Sequence, residues 1–169
     1  MKLLKIGTFE LPVYASFEVT QRYEPIGGET ILRAVSGRGI LQRTWRKTRV
    51  VTSGSGWVPS GLQSLDFDVQ HAVACIAPET MPADSVTRQA ELPVTRRSDA
   101  EHVPYGLAQL PGGQTVAAAV TLAGDIATVD AVTDAVAYQV GYYPLLTCWL
   151  LRPSRSGPDH SWELIAEEV

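Results

Sequence analysis

The amino-acid sequence predicts a mainly β protein: an antiparallel β-sandwich or barrel with a protruding basic hairpin, one long loop and room for one short helix. Three observations carry this expectation. Several runs alternate with the period of two that places successive side chains on opposite faces of a strand. Gly, Pro and Ser clusters separate those runs. The stretch 30–66 holds two apolar runs around Ser36-Gly37-Arg38-Gly39, then a Thr/Arg/Val segment up to Ser53-Gly54-Ser55-Gly56. Because Gly supplies the positive φ of hairpin loops and β-branched residues favour strands, that stretch reads as a hairpin followed by a turn.

Taken in order, residues 3–6 form a first short strand closed by Gly7, and 13–22 a second, with Val13, Ala15, Phe17 and Val19 on one side. Pro25-Ile26-Gly27-Gly28 turns the chain into the basic ribbon. In the ribbon Leu41, Arg43, Trp45, Lys47, Arg49 and Val51 share one face, and neither face is fully apolar. Two readings stay open there. Either Arg and Lys stems cover Trp45 on an ordinary surface strand, or the hairpin is an arm that meets another subunit or an acidic partner. Pro59 and Gly61 suit a type I turn after Trp57, and 66–77 is a further strand.

From 79 to 113 the composition changes, with Pro82, Pro93, Pro104 and Pro111 and few apolar periodic runs. This is expected to be a long loop excursion from a single β domain spanning 1–169, without a core of its own. Strands resume at 115–122 and 126–129, joined by a Gly124-Asp125 turn, and continue at 136–151, with a break at Tyr142-Tyr143-Pro144, and at 162–169. Residues 130–138 have helical as well as strand character. Glu163, Glu167 and Glu168 suit a solvated edge, or a contact with the basic ribbon of a neighbouring copy.

The chain has 169 residues and a mass of 18.3 kDa, enough for one well-buried core. Its 45% hydrophobic and 19% charged content excludes a disordered tail or a coiled coil. A net charge of −4 excludes a protein that coats nucleic acid over its whole surface and leaves only a local basic surface. That surface is the ribbon, where Arg33, Arg38, Arg43, Arg46, Lys47 and Arg49 stand with no acid between Glu29 and Asp66. Glu10 comes too early for a signal-peptide apolar segment, and 136–151 is too short and interrupted to span a membrane. Cys75 and Cys148 each sit in an apolar run, as buried thiols do.

Chemistry is harder to find. Cys75, Cys148, His71, His102 and His160 are scattered without metal-ligand spacing, so no metal or other cofactor is expected. Ser53-Gly54-Ser55-Gly56 lacks the first Gly of a nucleophile elbow, and Gly37-Arg38-Gly39 leads into a strand where a phosphate loop needs a helix. The expectation is therefore not an enzyme.

Three segments carry a resemblance. They are Tyr23-Glu24-Pro25-Ile26-Gly27-Gly28 with Leu32-Arg33; Trp45-Arg46-Lys47 with Ser53 to Leu62 and Leu65-Asp66; and Tyr138-Gln139-Val140 with Tyr142-Tyr143-Pro144 and Ser161-Trp162-Glu163-Leu164. Together they resemble small tail proteins of tailed bacteriophages and prophages; 79–113 departs from that pattern. The resemblance implies a virion structural subunit of the tail tip or baseplate, such as a distal tail protein forming a ring between tail tube and hub. Its partners would be copies of itself, the tail tube and the hub, with no membrane and no nucleic acid. Its place would be the virion tail, after synthesis in the host cytoplasm. A ring needs contacts in which one surface meets a different surface of the next copy, and Arg33, Arg38, Arg43, Trp45, Arg46, Lys47 and Arg49 are the interface candidates. The alternative is a nucleic-acid or polysaccharide binding β module that uses the same ribbon.

Overall fold

The structure is a computed structural model, and it describes residues 3–12, 18–156 and 161–169. Its elements begin with β1 (Lys5–Ile6), β2 (Phe9–Glu10), β3 (Thr20–Arg33), β4 (Gly39–Ser55), a one-turn helix α1 (Ser60–Gln63) and β5 (His71–Ala74). Next come β6 (Glu79–Ala83), β7 (Gln89–Glu91), β8 (Tyr105–Gln109), β9 (Thr115–Ala118), β10 (Val120–Ala123) and β11 (Ile126–Val129). The chain ends with β12 (Ala137–Tyr142), β13 (Leu145–Leu150), β14 (Ser154–Ser156) and β15 (Ser161–Glu168). The protein is mainly β, as expected. It divides into two compact units, Met1–Lys5 with Ala74–Leu146, and Ile6–Val73 with Thr147–Val169.

The unit containing Ala74–Leu146 is a small antiparallel sandwich. One sheet has the order β10-β11-β7 and the other β6-β12-β8-β9. Alternate residues of their strands meet in one buried cluster built on Ala90, Ala108, Ala127, Val129, Tyr138 and Val140. Three of these strands, β6, β7 and β8, come from 79–113. The expected excursion is therefore a correction: short strands of three to five residues give too little periodicity to read, yet paired with 115–142 they bury Ala90, Leu92 and Ala108. Nor is there a helix at 130–138. The Tyr138 hydroxyl bonds the Val132 carbonyl (3.3 Å) and accepts from its N–H (3.2 Å), which holds this segment as an irregular turn. The Gly124-Asp125 turn joins β10 to β11 as expected, with Gly124 at φ 63°.

The other sheet runs β2-β1-β5-β13-β15-β4-β3, with β14 also on β15. Its interior is organised by β15, where Trp162, Leu164 and Ala166 are buried in alternation. β15 pairs with β4 from Ser161↔Ser55 to Glu167↔Arg49 and with β13 from Cys148 to Leu150. It is not the solvated edge expected from its glutamates. Ser53-Gly54-Ser55 is no turn but the end of β4, because Trp162 packs over Gly54: a Cβ there would lie 2.5 Å from the indole Cζ2.

Three further expectations change in the unit that holds β3 and β4. Pro25-Ile26-Gly27-Gly28 lies inside β3, an edge strand where a missing N–H is tolerated. Residues 59–62 enter α1, with the Pro59 carbonyl accepting from Leu62 at 2.9 Å. Of 66–77 only β5 is a strand, since the Asp66 carboxylate accepts from the Asp68 N–H at 2.9 Å and turns the chain before it. Residues 13–17 of the early strand lie outside the described residues. Cys75 and Cys148 are both buried and neither is in a disulfide, and the break at Tyr143-Pro144 separates β12 from β13.

Candidate interface on the β3–β4 arm

The β3–β4 ladder is far longer than the sheet that supports it. Its pairs run from Thr20↔Ser53 to Arg33↔Gly39, whereas β15 accompanies β4 only from Arg49 to Ser55. Residues 39–48 therefore extend about 30 Å past the last β15 pair, at ~3.3 Å per residue. Ala34 to Arg38 close the tip through Ala34 N–H to the Arg38 carbonyl (3.0 Å) and Gly37 N–H to the Ala34 carbonyl (2.8 Å), with Gly37 at φ 81°.

A bulge sets the faces of this arm. Gly27 pairs with Arg46 and Glu29 with Arg43, so Thr44 and Trp45 together oppose Gly28. The bulge crowds Gly28: a Cβ there would lie 2.3 Å from the Thr44 hydroxyl and 2.8 Å from the Trp45 indole nitrogen, so both side chains would have to move. The extra residue reverses the alternation of β4. The single face expected for Leu41, Arg43, Trp45, Lys47, Arg49 and Val51 is split, with Leu41 and Arg43 beside Ile31 and Glu29. Lys47, Arg49 and Val51 lie on the opposite face beside Ile26, Glu24 and Arg22.

The ribbon is also less basic in space than in sequence. Arg43 pairs with Glu29 (2.9 Å), and Arg49 with Glu167 (2.7 Å) and Glu24 (3.7 Å). The Lys47 ammonium donates to the Val169 carbonyl, and Glu168 accepts from the Thr48 N–H at 2.8 Å. The C-terminal glutamates thus meet the ribbon of their own chain. Arg33 reaches only the Gly37 carbonyl at 3.4 Å, and Arg38 and Arg46 have no partner among the described residues. The seven candidates fall into two groups. Arg43, Lys47 and Arg49 belong to the fold, while Arg33, Arg38, Arg46 and half-exposed Trp45 face solvent.

What the arm shows beyond charge is apolar surface on both faces. Ile31 (63% exposed) pairs with Leu41 (57%) on one face, and Leu32 (52%) with Ile40 (54%) on the other. Val35 at the tip is fully exposed. Sequence reading used these residues only as strand signals, since alternation implies that one face will be buried; two exposed faces become visible only when the partner strands are known.

A second polar cluster lies in the sandwich unit. The buried Arg97 guanidinium faces the carbonyls of Leu3 (3.0 Å), Cys75 (3.1 Å) and Ala74 (3.2 Å) and pairs with Asp99 at 2.9 Å. Asp99 also binds Nδ1 of buried His102, whose ring stands edge-on to Tyr143 at 4.8 Å. Desolvation opposes the Asp99 charge, but the hydrogen bonds from His102 and Arg97 outweigh it and bring its pKa down to about 2. This cluster ties three backbone segments together. Compared with family models, curated proteins and solved structures, the chain matches none.

Proposed function

We propose that this protein is a non-enzymatic structural subunit of a bacteriophage tail tip or baseplate, a distal-tail-type ring subunit that joins tail tube to hub and assembles through its β3–β4 arm. The observation that carries the assembly reading is the pair of aliphatic contacts, Ile31–Leu41 and Leu32–Ile40, exposed on opposite faces of one projecting ribbon. A lone two-stranded ribbon is marginally stable in water, and large apolar side chains on both of its faces suit burial by a partner. The tail assignment rests on the sequence resemblance given above.

Nucleic-acid binding is the weaker reading, because Arg43 and Arg49 already face carboxylates and a phosphate backbone would have to displace them. Light scattering across a concentration series, with negative-stain images of the same fractions, tests the proposal. The expected result is growth towards a closed ring, abolished by Ile31→Ser with Leu41→Ser while circular dichroism is retained. An arm variant that assembles like the parent protein overturns the arm's role.

A further inference from the structure

An arm that assembles needs a surface to receive it, and the unit bearing the arm holds an open groove of about 410 Å³. Leu65, Phe67, Val58 and Pro153 line it with apolar surface. Asp66 and Asp68 add two exposed carboxylates, and Asp68 has no cationic partner among the described residues. Arg152 and Arg155 complete the lining, Arg152 over the Phe67 ring at 5.9 Å and Arg155 donating to the Gln63 amide oxygen at 3.1 Å.

The arm tip carries the matching features. Val35 is fully exposed, Arg38 is unpaired among the described residues, and Arg33 lies beside it. The carbonyls of Val35 and Ser36 take no part in the two backbone bonds that close the tip, which leaves them as acceptors for arginine. The charge distribution makes a second copy the fitting partner. Residues 27–46, the part of the arm beyond the contacts of Lys47 and Arg49, hold four arginines and one carboxylate, Glu29, a charge of +3; with the whole chain at −4, all other residues together carry −7. Positive arm against negative body is complementary between copies of this one chain.

We propose that the arm tip of one copy seats in the Leu65–Phe67 groove of the next, with Val35 on the apolar lining and the Arg38 guanidinium on the Asp66 and Asp68 carboxylates. This rests on the assembly reading and names its receiving surface. Tip and groove are different surfaces, so the contact is heterologous and repeats from copy to copy, as a ring requires.

A charge exchange tests it by sedimentation velocity at concentrations where the parent protein assembles. Arg38→Asp and Asp68→Arg are each expected to weaken assembly at least tenfold, and the protein carrying both changes is expected to recover it. Both residues are exposed, and unchanged melting curves identify the variants that fold. If Asp68→Arg assembles like the parent while Ile31→Ser with Leu41→Ser does not, the arm docks elsewhere: the groove is overturned and the assembly reading stands. Loss in both single variants without recovery in the double overturns the pairing. A parent protein that stays monomeric at every concentration overturns both.

Discussion

The two halves of the β3–β4 ribbon have one ladder and two environments. In the half next to β15, Val50, Val51 and Thr52 are buried and Trp162 lies across Gly54. In the distal half, Ile31, Leu32, Ile40 and Leu41 are as apolar and as strand-favouring, yet each is more than half exposed. Strand propensity is therefore not what separates them. A third strand and a covering side chain turn the same residue types into a core on one side of Arg49 and leave them as contact surface on the other.

The strongest way to break this comparison is to remove apolar volume from both halves. Leu164→Ala on β15 is expected to cost about 2–5 kcal/mol in urea unfolding, because it leaves a cavity in a packed layer. Leu41→Ala should change monomer stability by no more than ~0.5 kcal/mol and act on assembly alone. Equal losses from the two would mean that the arm packs within its own chain.

Backbone space gives the next contrast. Gly54→Ala should cost about 1–3 kcal/mol in thermal melts, since the buried Trp162 ring cannot clear a Cβ at 2.5 Å without repacking. At Gly37, in the tip, a Cβ meets nothing within 4 Å, and only its positive φ of 81° penalises Gly37→Ala. A smaller effect at Gly54 than at Gly37 would contradict the packing described here.

Charge sharpens the comparison at lower magnitude. Asp99 has a folded-state pKa of about 2, below the ordinary aspartate value near ~3.9. Its contribution to stability is therefore present above pH ~4 and lost as pH falls through about 2, and Asp99→Asn should flatten acid unfolding curves in that interval. The exposed Arg43–Glu29 pair on the arm should yield the smallest change, about 0–1 kcal/mol in a double-mutant cycle, and less at high salt.

Much of the fold was legible from local pattern. The hairpin around Ser36 to Gly39, the Gly124-Asp125 turn and the break at Tyr143-Pro144 all follow from Gly and Pro chemistry next to β-branched runs. The sandwich strands in 79–113 were not legible, because strands of three to five residues carry too few alternations to stand out from loop. For the candidate interface, Arg33, Arg38 and Arg46 were legible as charges, but Glu24, Glu29 and Glu167 neutralise their neighbours from 14 to 118 residues away.

By itself the sequence determined the β class, the turns around Ser36 to Gly39 and at Gly124-Asp125, and the presence of a basic hairpin, since each depends on a few adjacent residues and their backbone preferences. Only the tertiary structure decided which half of that hairpin is core, that a bulge at Thr44 and Trp45 exchanges its faces, and which arginines keep their charge open. Those outcomes depend on strand neighbours distant in the chain, and burial and charge pairing are properties of what lies across a contact rather than of the residues that carry them.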